Sequence, residues 1–371
     1  MKRVIIVGGG LAGLETSIQL ARRGIPCTVI EKRAYPFHRV CGEYISNEVV
    51  PFLEANNLFP HDFNPPGIRR FLLSSITGKN EIMPLDLGGF GISRYSFDHF
   101  LYQQAISSGV EFHLQQEVTE VHFVNDRFEV KTRSHEMLAD VVIGTFGKRS
   151  KLDTVLKRPF IAQRSPYVAV KYHIRTDHPS DLIALHNFSG GYCGMSNIED
   201  GKTTLCYLSH RKNLRKFGDV RRMEEEILFK NPFLSRVFNH SEFLFDRPEV
   251  INEVSFATKS PLDNHILMAG DAAGMIAPLC GNGMAIAIRS AKDISEVVAR
   301  FLTEPSFTRQ MLEKTYVSSW NSSFRAHLRT GRLIQGLFGN AVASNIAVNM
   351  AIYFRPLANA IMRSTHGTPF Q

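Results

Sequence analysis

RVIIVGGGLAGLETSIQLARRGIPCTVIE, residues Arg3 to Glu31, decides the fold. The β-branched run Arg3 to Val7 reads as a buried strand, Gly8-Gly9-Gly10-Leu11-Ala12-Gly13 as a tight turn, and Leu14 to Arg23 as a helix stopped by Gly24. Cys27 to Ile30 is a second strand with Glu31 at its end. In such a unit Gly8 permits the sharp turn, Gly10 lets a pyrophosphate approach the backbone, and Gly13 lets the helix pack closely on the strand. The helix N-terminus offers free N–H groups to phosphate. Glu31 would accept hydrogen bonds from the adenosine ribose and disfavours a 2′-phosphate. Gly8, Gly10, Ala12, Gly13, Glu31 and the neighbouring Lys32 are therefore candidate dinucleotide contacts. The unit does not by itself choose between FAD and NAD.

Working outward, the 371 residues are enough for two domains, or for one nucleotide-binding domain carrying an insertion. Five cysteines, Cys27, Cys41, Cys193, Cys206 and Cys280, are dispersed, odd in number and without a CxxC pair, which argues against a metal site or a disulfide framework. A reducing, cytoplasmic setting is expected. The Asn-x-Ser triplets at Asn187, Asn239 and Asn321 then carry no meaning. The N-terminal apolar run is broken by glycines and Glu15 and lacks the pattern of a signal peptide. The net charge of +8 reads as spread along the chain, with no basic stripe interleaved with aromatics, so a nucleic-acid partner is not expected.

Along the rest of the chain, residues 45 to 57 read as a helix with Pro51 as a break, and residues 68 to 92 as extended. Residues 96 to 108 read as a helix capped by Ser96. Strand-like runs follow at 118 to 124, 127 to 133 and 137 to 143, then at 167 to 174, 182 to 188, 192 to 197 and 203 to 209, the last four as in an antiparallel sheet. A short helix spans 221 to 230. The last seventy residues read as helical. Gly336 to Tyr353 is nearly charge-free, but Asn340, Ser344, Asn345 and Asn349 recur at near-helical spacing, which favours a helix packed on the body or lying on a membrane surface over one that spans it.

A second motif lies at Ile266 to Gly274, where a strand ILMA runs into Gly270-Asp271 and is followed by Pro278, Gly281-Asn282-Gly283-Met284 and an Ala-rich helix. An acid at a strand's C-terminal end suits a ribityl or ribose hydroxyl. Here the sequence resembles, over roughly residues 1 to 300, the FAD-dependent family that includes p-hydroxybenzoate hydroxylase and the geranylgeranyl reductases. The resemblance implies that Asp271 binds the ribityl chain and that Gly281, Asn282, Gly283 and Met284 face the flavin's pyrimidine edge. Arg39-Val40-Cys41-Gly42-Glu43 is similar to the Cys-Gly stretch beside flavin and substrate in geranylgeranyl-reductase-like members, making Arg39 a cofactor candidate and Cys41 and Glu43 candidate catalytic residues. Ser93 to Asp98 resembles their Arg-x-x-Phe-Asp stretch, so Arg94 is a further FAD candidate. Asp140 to Ser150 departs from the hydroxylases' second glycine motif: Phe146 stands at its acid and Asp153 where an arginine is common. The departure counts against a standard NADPH-dependent hydroxylase, and the missing WxWxIP motif, Trp320 being the one tryptophan, against a halogenase.

The expected fold class is α/β: a Rossmann-like FAD-binding domain of the glutathione reductase type, an inserted antiparallel β-sheet substrate domain and a helical C-terminal region. The expected divisions are 1–67, 94–160 and 258–302 for the FAD-binding parts, 68–93 and 161–257 for the substrate domain, and 303–371 for the C-terminal helices. The expected activity is reduction of carbon-carbon double bonds in a hydrophobic isoprenoid or quinone-like substrate by reduced FAD, with NAD(P)H or another reductant as donor. The alternatives are a monooxygenase acting on an aromatic or polyketide substrate, and a non-catalytic flavin-binding module. The aromatic-rich inserted sheet is expected to wall the substrate pocket, and the C-terminal helices are candidates for peripheral membrane contact.

Overall fold

Val4, Ile5 and Ile6 are fully buried because their strand, Val4–Val7, is covered on both faces, as a continuous β-branched run requires. In the computed structural model, which describes residues 2–163, 165–277, 281–335, 339–364 and 367–371, this strand lies inside a six-stranded sheet. Pro278, Cys280 and the Gly336 start of the expected apolar helix fall outside the described residues. The strand order is Leu262–Asp263, Ile266–Met268, Val141–Gly144, Val4–Val7, Cys27–Glu31, Glu111–Leu114, parallel except for the first pair. Val7 is in register with Gly144 and Ile30, and Gly144 with Met268. The strands' C-terminal ends thus bring Gly8, Glu31, Thr145 and Gly270 to one edge, where open α/β sheets bind ligands.

The second sheet is nine-stranded and carries Tyr167–Arg175, Leu182–Phe188, Gly191–Asn197 and Thr203–His210 beside Gly67–Ser74, Asn80–Gly91 and Tyr44–Ser46. It is mixed rather than purely antiparallel: Gly67–Ser74 pairs in parallel with Leu182–Phe188. The reason is connectivity, since the chain leaves the sheet after Gly91 to build nucleotide-domain elements before it returns. The sheet's two faces differ in chemistry. Tyr172, Phe188 and Tyr207 lie in the cluster covered by the helices Arg211–Phe217, Val220–Ile227 and Pro232–His240, while Phe71, Tyr167 and Tyr192 lie on the opposite face. The other face presents Leu73, Met83, Ala169, Leu185 and Leu208 to Val40, Met275 and the helix Ala341–Tyr353.

Three local expectations are corrected. The run 137 to 143 is two strands, Glu136–Ala139 and Val141–Gly144, in different sheets, split where Asp140 bonds Arg3 through its carboxylate (2.7 Å) and its backbone N–H (2.8 Å). Ser93, not Ser96, caps the helix Arg94–Ser107, its hydroxyl accepting from Ser96 N at 3.1 Å. Residues 45 to 57 divide into the strand end Ser46, a short 3-10 turn and the helix Val50–Ala55, in which Pro51 occupies the first turn and starts the helix rather than breaking it.

Candidate functional site

The tight first turn is enforced by contact. A methyl on Gly13 would stand 2.1 Å from Gly8 O and 2.8 Å from Thr145 Oγ1, and Thr145 Oγ1 itself donates to Gly8 O at 2.6 Å. The helix Leu11–Arg22 starts at Gly10 with no side-chain cap, which leaves its first N–H groups to a ligand. A methyl on Gly10 would lie 3.6 Å from Arg94 Nη2 and 4.0 Å from Arg39 Nη2, so two guanidiniums bound the space above the turn. Helix N-terminus and paired arginines together suit a pyrophosphate.

The arginines are themselves held. Asp98, almost fully buried, accepts from Arg94 Nε (2.6 Å), Arg94 Nη2 (2.8 Å) and Arg39 Nε (3.1 Å). Burial opposes charge on Arg94, but Asp98 beside it raises its pKa above the ordinary value, and Cys41 and Asp271 are near enough to act in the same direction. Arg94 therefore ties the Cys41 loop and the Asp271 turn to the first motif. Glu31 is buried at the end of its strand and accepts from Gly9 N at 2.8 Å, with Arg39 at 3.5 Å. Lys32 is exposed and makes no ion pair among the described residues.

Gly270 brings the second motif against the first. At φ +58°, it would place a methyl 3.1 Å from Ala12 Cβ, and its N–H donates to Ser290 Oγ at 3.0 Å. Asp271 is half-buried. Asn282 is the N-cap of the long helix Gly283–Thr303, Gly281 packs on Tyr44, and Met284 is buried, so the four predicted residues form one helix start whose positive end faces the cleft edge. Asn282 Nδ2 also approaches Glu48 Oε2 at 3.5 Å.

Two residues that support the Asp271 turn escaped the sequence reading. Arg158, about 2% exposed, bonds Asp153 (2.8 Å), Ala272 O (2.9 Å) and Ser260 O (2.9 Å). Lys259 Nζ donates to Lys148 O (2.6 Å) and Asp271 O (2.7 Å); burial lowers its pKa to about 8 against the pull of Asp271. Asp153, which departs from the hydroxylase pattern, is thus the buried partner of Arg158 and caps its own helix with Ser150. The only signal for these was the misfit at Phe146 and Asp153.

The expectation that Glu43 supplies a proton is corrected. Glu43 is fully buried at φ +55°, bonds Lys171 Nζ, accepts from Arg94 N at 2.8 Å and meets His173 Nε2 at 2.6 Å. Burial alone would raise its pKa, but the Lys171 charge and the His173 bond outweigh it and hold the carboxyl at about 2. It is an anchored carboxylate that accepts protons' hydrogen bonds and fixes the 39–43 loop; Lys171 Nζ also donates to Arg39 O at 3.1 Å. Cys41 is half-buried, within electrostatic reach of Arg94 and Cys206, and a methyl on the adjoining Gly42 meets nothing within 4 Å. That open side leaves room for a ligand beside Cys41.

Comparison with known proteins agrees with this geometry. Residues 1–58 match the FAD binding domain family. The chain is 24% identical over 338 residues to digeranylgeranylglycerophospholipid reductase 2 of Methanopyrus kandleri, covering 86% of this chain and 82% of that one. In fold it is similar to a geranylgeranyl bacteriochlorophyll reductase-like protein of Thermoplasma acidophilum, with TM-score 0.78 at 18% identity over 98% and 95% of the two chains. A triple mutant of the flavin-dependent brominase Bmp2 is as similar, with TM-score 0.78 at 18% identity over 99% and 94%. The chain thus begins with a match to the FAD binding domain family and shares the overall fold of these flavoenzymes.

Proposed function

We propose that the protein reduces carbon-carbon double bonds of a hydrophobic, isoprenoid or quinone-like substrate. The observation that carries this reading is the apolar surroundings of the site: Val40 and Met275, neighbours in sequence of Cys41 and the Asp271 turn, are buried in one cluster with Leu73, Ala169, Leu185, Leu208 and the helix Ala341–Tyr353. A hydrocarbon chain gains roughly 0.8 kcal/mol per buried CH2 on such a surface, whereas a polar aromatic acid would need cations there. Similarity to proteins named as reductases of digeranylgeranyl and geranylgeranyl compounds supports the same substrate class.

When bound and reduced by NAD(P)H or another donor, FAD would supply hydride chemistry at one alkene carbon. The chain's own residues do the rest. Arg94, Arg39 and the Gly10 turn would hold the diphosphate, Asp271 the ribityl hydroxyls, and the start of Gly283–Thr303 the pyrimidine edge. Glu43, clamped by Lys171 and His173, fixes the loop that carries Cys41. The Cys41 thiol is the group from which the second alkene carbon takes its proton, to be restored from solvent.

Product analysis under air and under nitrogen tests this. A saturated product formed without oxygen supports it; substrate-linked oxygen uptake with an oxygenated product sinks it in favour of a monooxygenase. Cys41→Ala is expected to lower turnover at unchanged FAD content.

A further inference from the structure

The helix Ala341–Tyr353 is turned inside out for a surface helix. Its inward stripe is of small side chains, Ser344, Ala347, Val348 and Ala351, the last three in the apolar cluster on the second sheet. Its outward stripe is large and apolar: Val342, Ile346 and Tyr353, four and seven residues apart, are 69%, 61% and 69% exposed. Phe354 (65%) and Leu357 (54%) extend the patch into the following helix, Arg355–Arg363. Of the expected polar stripe, Ser344 is buried, Asn345 and Asn349 are half-buried, with Lys79 donating to Asn349, and the exposed Asn340 caps the helix through Val342 N and Ala343 N.

The segment of chain that carries this patch holds charge of one sign. Glu313 is the last acid of the chain; residues 314–371 hold Lys314, Arg325, Arg329, Arg332, Arg355 and Arg363 and no Asp or Glu, so six of the net +8 charges belong to this segment. The even spread expected from the sequence is therefore replaced by a basic C-terminal sixth. Arg355 and Arg363 reach Glu81 and Asp86, while Arg325 and Arg329 are exposed and Arg332 half-buried. Large exposed apolar side chains on a segment that has cations and no acid of its own are the two elements that bind a lipid surface carrying negative headgroups, apolar groups entering the acyl boundary and cations holding the phosphates.

We infer that the outer face of 342–357 docks on an anionic lipid bilayer. No helix among the described residues is long and apolar enough to cross one, so the contact is interfacial. Its inner face shares the cluster of Val40 and Met275, which sets the lipid surface one helix away from the substrate face. The inference stands on this patch and its charge, independently of the reaction.

The test is flotation of the full-length, FAD-loaded protein with vesicles of phosphatidylcholine alone and of phosphatidylcholine mixed with phosphatidylglycerol. Binding to the mixed vesicles is expected to be at least about tenfold tighter and to weaken with salt. Ile346→Ser with Phe354→Ser, exposed positions whose replacement leaves the melting temperature unchanged, should lose about tenfold or more of that binding. Arg329→Gln with Arg332→Gln should abolish the preference for anionic vesicles. Absence of binding to either vesicle, or binding untouched by both double variants, overturns the proposal. So does a concentration-dependent dimer, seen by light scattering, that the Ile346→Ser/Phe354→Ser variant dissolves, because a second copy would then be the occupant.

Discussion

Gly270 stands against Ala12, and a methyl on Gly270 would come within 3.1 Å of Ala12 Cβ. The first-turn helix and the Asp271 turn, which come from opposite ends of the chain, thus interlock directly, and Gly270 also needs its positive φ. Gly270→Val should cost roughly 1–3 kcal/mol through backbone strain and overpacking, and the purified protein should lose most of its flavin. Visible absorbance per mole of protein measures this, and a fully yellow variant would contradict it.

Arg94 and Asp98 form the ion pair beneath the expected diphosphate, with both side chains largely buried. Arg94→Met leaves Asp98 with Arg39 alone, and is expected to destabilise by about 3–5 kcal/mol and to weaken FAD binding at least tenfold. Urea unfolding and a flavin titration read the two effects separately. Arg94→Lys should recover stability better than FAD affinity, because it restores charge without the forked geometry.

Lys259 joins Lys148 O to Asp271 O. Lys259→Met leaves two carbonyls without their donor, at about 1–3 kcal/mol, and lets the Asp271 turn shift. FAD affinity should fall severalfold with Lys259→Met and be largely restored with Lys259→Arg. An unchanged affinity in the Met variant would remove Lys259 from the positioning of Asp271.

Glu15 is fully buried in the first helix, and neither carboxylate oxygen has a hydrogen-bond partner among the described residues. Burial raises its pKa from 4.5 to about 8, with Arg22 opposing weakly. The folded state keeps the proton that the unfolded state has lost, so stability falls as pH rises from about 4.5 to about 8 and then levels. The loss is on the order of a few kcal/mol. Melting temperature against pH should decline across that interval in the natural protein and stay flatter in Glu15→Gln; equal slopes would refute the assignment.

The nucleotide half of the molecule was legible because its physics is local. Gly8 to Gly13 lie in one strand-turn-helix, Glu31 ends the strand that follows it, and Asp271 follows its own strand directly. What escaped depends on contacts distant in sequence. The ion-pair cluster around Glu43 was not legible because Lys171 and His173, which bury it, sit on a strand some 130 residues later. Arg158 and Lys259 carry no motif, since each acts through main-chain carbonyls that any residue could provide. The amphipathic reading of 336–353 counted polar positions correctly, but whether a stripe faces the sheet or the solvent depends on the sheet beneath, which periodicity does not describe.

The most direct test of the account is a single turnover without oxygen. FAD-loaded protein, reduced chemically and mixed anaerobically with an isoprenoid alkene, should regain oxidised-flavin absorbance as the alkene gains one molecule of hydrogen. Flavin that stays reduced until air is admitted, and then yields an oxygenated product, would contradict the reductase assignment.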